Sequence, residues 1–204
     1  MPRKNVTRTD EPHSFHHIYT RGHSKRKIFL DEQDYITFLK LLERYLSPED
    51  AHDKYGVPYP NFYNKLELIA FCLMPTHIHL LIYQHQPRAM AQCMQSVFTS
   101  YSRYFNTKYH RTGSLFESRY KASLITEGAY VEHISRYIHL VPRQWRTYEY
   151  SSLPYYLQQD AASWVSPKRC MQSFETPEAY TQFMQDRADH KKMIDILKQE
   201  LANV

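Results

Sequence analysis

The segment LELIAFCLMPTHIHLLIY, residues 66–83, constrains the fold more than any other part of the chain. Its first run, residues 66–74, is dense in large apolar side chains, as in a strand buried on at least one face. Pro75-Thr76 interrupts that run, and proline's fixed φ suits the second position of a β-turn. From His77 to Tyr83 the residues alternate, with Ile78, Leu80 and Ile82 on one face and His77, His79 and Leu81 on the other. The segment therefore reads as a β-hairpin. Two imidazoles at i and i+2 on a strand lie about 6.5 Å apart at Cα and can converge on one ion. With 12 histidines in 204 residues, an H-x-H pair arises readily by chance. The pair acquires meaning only from the rest of the chain.

A chain of this length can bury one sizeable core. Its hydrophobic fraction of 42% and charged fraction of 23% are those of a soluble globular protein. No apolar run has the length of a membrane span, and the N-terminal residues contain no apolar signal core, so a cytoplasmic protein without membrane contact is expected. Cys72, Cys93 and Cys170 are odd in number and form no C-x-x-C pair, which argues against a disulfide framework or a zinc knuckle. The net charge is +5, and 18 tyrosines accompany 10 phenylalanines. Basic charge among flat aromatic faces suits a groove for single-stranded nucleic acid. Tyrosines filling a half-polar core would give the same composition.

Along the chain, the first ten residues read as a polar basic arm. Residues 16–20 form a β-prone run closed by Arg21-Gly22, and a basic loop follows. Asp31 is placed to cap a helix reaching about Leu46, with Tyr35, Phe38, Leu39, Leu42 and Leu46 at helical spacing. Residues 47–64 hold Pro48, Gly56, Pro58 and Pro60 and read as a loop. A second helix is expected from about Met90 to Tyr109, a β-prone run ending at Ile125, and a third helix over about 128–140 halted near Pro142. Thr176-Pro177 has the form of an N-cap with proline at N1, and a last charged helix carries Met193, Ile194, Leu197 and Leu201. Strand, helix, strand, strand, helix, strand, helix is the order of an α+β ferredoxin-like antiparallel sheet with helices packed on it. Two regions are expected: 1–163 as the main domain and 164–204 as a C-terminal helical extension.

Four stretches, HHIYTRGHSKRKIFLDEQDYITFLKLL, AFCLMPTHIHLLI, YHRTGSLFESRYKASLI and YVEHISRYIHLVP, come in the order found in one family. Over about residues 16–145 the chain resembles the REP-associated tyrosine transposases, single-tyrosine members of the HUH endonuclease superfamily. The resemblance implies a ferredoxin-like sheet with the H-x-H pair on a central strand. It implies that His77 and His79 bind a divalent metal, Mg or Mn, and that Tyr137 is the nucleophile, a choice that spacing alone does not make among eighteen tyrosines. Tyr104 and Tyr101 are next in line for that role. The implied activity is single-stranded DNA cleavage and strand transfer at hairpin-forming repeats through a 5′-phosphotyrosine. The implied partner is single-stranded or hairpin DNA, without a small-molecule cofactor, and the sequence leaves monomer and homodimer both open.

One departure from the family bears on the metal. Four residues after the tyrosine, where relatives carry an amide that can complete the metal shell, stands Val141, which has no donor atom. His133, one turn before Tyr137, is a candidate substitute on helical spacing. Arg21, Lys25, Arg26, Lys27, Arg103, Arg111, Arg119 and Lys121 are candidates to track a phosphate backbone. The main alternative is a relative that holds the DNA hairpin without cutting it. An RNA-binding domain of the same fold would need exposed aromatics on its central strands, and the hairpin strands offer only Phe71 and Tyr83.

Overall fold

A computed structural model describes residues 10–125 and 130–186. The elements run β1 (Ser14–Arg21), α1 (Glu32–Leu46), β2 (Leu66–Met74), β3 (His77–Gln84), α2 (Ala89–Lys108), β4 (Lys121–Ile125) and α3 (Tyr130–Leu140). Three short helices follow, α4 (Leu153–Tyr156), α5 (Lys168–Met171) and α6 (Pro177–Gln185). The four strands form one antiparallel sheet in the order β2-β3-β1-β4. This is the ferredoxin-like arrangement: the β1–α1–β2 crossover steps over one position, and the hairpin returns β3 into the gap. The sequence suggests the hairpin strands as the centre of the sheet. Instead β2 is an edge strand, and β1 joins β3 in the middle.

Period-two alternation splits the strands between two cores. Ile18, Leu68, Phe71, Leu73, Ile78, Leu80 and Ile82 pack with α1 and α2 in one cluster. Ile69, Ala70, Cys72 and Leu81 pack with Val131, Ile134 and Ile138 of α3 in the other. A register shift between Leu68 and Ala70 turns two consecutive residues, Ile69 and Ala70, toward the α3 side. Both sheet faces are thus covered, and α3 crosses the face that carries His77 and His79.

Asp31 caps α1 as its sequence suggests, in a reciprocal box with Asp34. Asp34 is fully buried, and its carboxylate accepts from Tyr104 Oη at 3.0 Å, Lys108 Nζ at 2.9 Å and Tyr109 Oη at 2.8 Å, tying α1 to the end of α2. The exposed edge of β2 is sealed by later chain: Leu73 N–H donates to the Tyr150 carbonyl, Ser152 N–H to that of Phe71, and Ser166 N–H to that of Leu68. Part of the tyrosine surplus goes into contacts with backbone carbonyls. Tyr101, Tyr148 and Tyr156 donate their hydroxyls to the carbonyls of Ile28, Leu73 and Ile69.

α3 is held from behind by a buried polar network. His139 Nδ1 lies 2.8 Å from Tyr180 Oη and its Nε2 lies 2.7 Å from Ser152 Oγ. Ser152 Oγ in turn accepts the Phe71 N–H, and Ser135 Oγ contacts Tyr180 Oη at 3.0 Å. Thr176 caps α6, with its hydroxyl accepting from Ala179 N–H. Trp164 and Val165 complete the first core, while Cys170, Tyr180 and Met184 complete the second. Most of the N-terminal arm, the residues expected to open the third helix and the expected last charged helix fall outside the described residues.

Candidate active site

Cross-strand register assembles the site. On the α3 side of the sheet, Arg21 pairs with His77, Tyr19 with His79 and His17 with Leu81. Across β1, Lys121 pairs with Tyr19 and Ser123 with His17. Directly opposed residues of antiparallel strands share a face. One surface therefore carries His17, Tyr19, Arg21, His77, His79 and Lys121. Tyr137 of α3 comes down upon it, its ring 5.4 Å from that of His79 and 6.0 Å from that of His17.

The two histidines of the H-x-H pair meet edge to face at 5.2 Å between ring centroids. His77 Nδ1 lies 3.0 Å from Thr76 Oγ1, and His79 Nδ1 lies 3.0 Å from His17 Nε2. Each ring thus has its Nδ1 engaged within the protein, which leaves the two Nε2 atoms as the nitrogens for an ion. Tyr19 lies beside both, its ring 6.0 Å from that of His77 and 5.0 Å from that of His79.

Burial sets the protonation of the cluster. It pulls His17 down to about 4, and it holds His79 well below the usual imidazole range, helped by His17 and His77. Burial lowers His77 as well. All three imidazoles are neutral at pH 7, which is the state that ligates metal. Burial raises the Tyr137 phenol, as do the nearby Tyr19 and Cys72, so the chain alone does not activate this oxygen. Burial also raises Tyr19, with Arg21 opposing the shift.

Two imidazole nitrogens form a partial donor set that fits a divalent ion whose remaining positions are filled by phosphate oxygens or water. Among the described residues no group of three or more His, Cys, Asp or Glu side chains is arranged to hold a metal. The spacing argument for His133 does not carry through: its Nδ1 lies 2.9 Å from an Arg136 nitrogen and its ring packs on Phe183, toward α6. Val141 lies just past the end of α3 and packs against the second core. Tyr101 and Tyr104 belong to the first core, on the opposite side of the sheet, which removes them as alternative nucleophiles. Tyr19 is the tyrosine that shares the cluster. Neither Tyr19 nor His17 is singled out by the sequence reading, although both stand in the β1 run beside Arg21.

The basic candidates separate by position. Arg21 and Lys121 lie on the site face, and Arg21 forms an ion pair with Glu117. Lys25, Arg26 and Lys27 occupy the β1–α1 loop, which is docked on the hairpin turn just before His77. Gly22 N–H donates to the Thr76 carbonyl, and Ile28 N–H to that of Pro75. A Cβ on Gly22 would sit 2.3 Å from the Arg26 carbonyl oxygen, so only glycine lets this loop close so tightly. Arg111 places its guanidinium over Phe105, beyond the end of α2. Arg103 is exposed on α2, and Arg119 lines a groove with Phe98, Phe116 and Thr20 on the α2 side of the sheet.

The family model described as "Transposase IS200 like" matches residues 62–140. Among solved structures, a REP-associated tyrosine transposase bound to a REP hairpin aligns with a TM-score of 0.54 at 12% identity, covering 79% of this chain and 90% of that one. A protein of Deinococcus radiodurans assigned as a transposase aligns at 15% identity over 69% of this chain and 97% of its own, with a TM-score of 0.38, too low to bear on the fold. No curated protein matches the chain. Residues 62–140, the segment that carries His77, His79 and Tyr137, match the model of the IS200-like transposases, and the chain has a fold similar to that of a REP-associated tyrosine transposase.

Proposed function

We propose that the protein is a single-stranded DNA endonuclease and strand transferase acting at hairpin-forming repeats through a 5′-phosphotyrosine. The observation that carries this reading is the convergence of Tyr137 on His79, with rings 5.4 Å apart, from a helix and a strand that the chain brings together only on folding. The structural relative solved with a REP hairpin supports the choice of DNA.

In this mechanism Tyr137 Oη attacks the scissile phosphorus. A phenolic O–P bond forms and the bond from phosphorus to the 3′-oxygen breaks. The phenol gives up its proton and the departing oxygen takes one up as a 3′-hydroxyl. One phosphodiester is exchanged for another, so rejoining needs no nucleotide hydrolysis. Burial holds the phenol above its ordinary value, and the site has to offset that cost. A divalent ion, Mg or Mn, when bound by His77 and His79, supplies positive charge at the phosphate. Thr76 and His17 hold those two rings from their Nδ1 sides. Arg21 stands in the same cross-strand row as His77, with a guanidinium that can turn from Glu117 to a phosphate oxygen. Lys25, Arg26 and Lys27, on the loop docked at the His77 end of the sheet, together with Lys121 on the site face, extend the positive surface along the backbone. Arg103, Arg111 and Arg119 are further candidates for DNA flanking the cut.

A second reading is a protein that binds the hairpin without cutting. It is favoured by Val141 and by the two-histidine donor set among the described residues. Incubation with a labelled hairpin carrying single-stranded flanks, with Mn²⁺ or Mg²⁺, separates the two. The endonuclease reading expects a covalent protein–DNA adduct in wild type and none in Tyr137→Phe, with affinity kept within about three-fold because only the attacking oxygen is removed. A wild type that binds but forms no adduct establishes the second reading. An adduct that persists in Tyr137→Phe moves the nucleophile to another tyrosine, with Tyr19 the first to test.

A further inference from the structure

We propose that His17 is a positioning residue: its Nε2 accepts the Nδ1–H of His79 and so fixes His79 in the tautomer whose Nε2 lone pair is left for an ion. The inference rests on the reading of His77 and His79 as ion ligands and assigns the neighbour that prepares one of them.

The geometry leaves two choices. His17 Nε2 and His79 Nδ1 are 3.0 Å apart, with ring centroids 5.2 Å apart and ring planes within 8°, so the rings meet edge to edge nearly in one plane and one hydrogen is shared between these two nitrogens. Should His17 donate it, His79 Nδ1 spends its lone pair on His17 and the neutral ring carries its own hydrogen on Nε2. His79 then has no nitrogen to offer. Should His79 donate it, His79 Nε2 is bare and His17 must carry its own hydrogen on Nδ1. Only the second arrangement lets His79 ligate. His17 and His79 are each 2% exposed, so water does not compete at this contact. The backbone holds both rings: β1 and β3 are paired throughout, with His17 opposite Leu81 and Tyr19 opposite His79. Thr76 engages His77 Nδ1 in a parallel way, but a hydroxyl both donates and accepts and imposes no tautomer. A neutral imidazole nitrogen either donates or accepts but never both, so the tautomers of His17 and His79 are locked to each other.

The test uses the full chain in three forms: wild type, His17→Gln and His17→Leu. Glutamine places a carbonyl oxygen near the position of Nε2 and restores an acceptor; leucine fills the space without one. Long-range proton–nitrogen correlation spectra of the ¹⁵N-labelled, metal-free protein at neutral pH report each histidine's tautomer. The expected result is His79 protonated on Nδ1 in wild type and in His17→Gln, and on Nε2 in His17→Leu. Calorimetric titration with Mn²⁺ should then show affinity within about three-fold of wild type for His17→Gln and a loss of about 10- to 100-fold for His17→Leu. Thermal melts establish that both variants are folded. His79 protonated on Nε2 in wild type overturns the proposal, and so does an equal Mn²⁺ affinity, or an equal loss, in the two variants. A wild type with His79 on Nδ1–H that binds no Mn²⁺ supports the tautomer assignment and refutes the ion-site reading instead.

Discussion

His139 offers a measurement in which the magnitude follows directly from the structure. Its side chain is wholly buried, and both ring nitrogens are engaged, by Tyr180 and Ser152. Burial pulls it down to about 3 from an ordinary 6.5. Between those values the unfolded chain binds a proton that the folded chain refuses. Stability contributed by the neutral ring is therefore fully present above pH 6.5 and is lost as pH falls toward 3. At pH 5 the loss is 1.5 pH units' worth, and at about 1.4 kcal/mol per unit that is about 2 kcal/mol for this histidine alone. Against a total of about 5–15 kcal/mol such a loss is easily measured. His139→Gln keeps an amide toward Ser152 and removes the titration. Urea unfolding of both proteins at pH 7 and pH 5 gives four stabilities. The wild type should lose about 2 kcal/mol more between the two pH values than the variant does, because His16, His17, His77 and His79, also lowered by burial, contribute to both proteins alike and cancel. An identical pH dependence in the two proteins would refute the argument, since His139 would then titrate in the folded chain as it does in the unfolded one.

Other expectations concern DNA, the ion and the core. Changing Lys25, Arg26 and Lys27 together to alanine should shallow the dependence of log affinity on log salt by about 2 to 3, in filter-binding or fluorescence titrations with the hairpin; an unchanged slope would mean that this loop does not touch phosphate. Val141→Asn puts a carbonyl oxygen just past the Tyr137 helix, and calorimetry with Mn²⁺ should show tightening of about 10-fold or more, about 1 to 2 kcal/mol, while His77→Ala abolishes binding in either background. No gain in Val141→Asn would point to a ligand already in that position. Tyr101→Phe leaves the Ile28 carbonyl without its buried donor and should cost about 1 to 3 kcal/mol in chemical denaturation without altering DNA binding.

Much of the scaffold is written locally. The alternation of residues 77–83 sets which histidines share a face, because successive strand residues point to opposite sides whatever the strand pairs with. Pro75-Thr76 sets the turn, and the Asp31–Asp34 and Thr176 caps set two helix starts, because each acts within four residues. Tyr137 is different. The role proposed for it is suggested by the sequence only through a resemblance to a family, since nothing in a tyrosine's immediate neighbours marks it as facing a cluster rather than a core.

Tertiary structure decided which residues join the H-x-H pair. His17 and His79 are separated by 62 positions and touch because the β1–α1–β2 crossover leaves a vacant place in the sheet that β3 fills, with a register that aligns Tyr19 to His79. The same pairing sets Arg21 beside His77, and the packing of α2 on the far face removes Tyr101 and Tyr104 from contention. His133 has the helical spacing of a ligand, but the fold turns it to Arg136 and Phe183. Strand periodicity assigns a side chain to a face and says nothing about its neighbour across the sheet. That neighbour is fixed by strand order and register, which depend on how the whole chain buries its two cores.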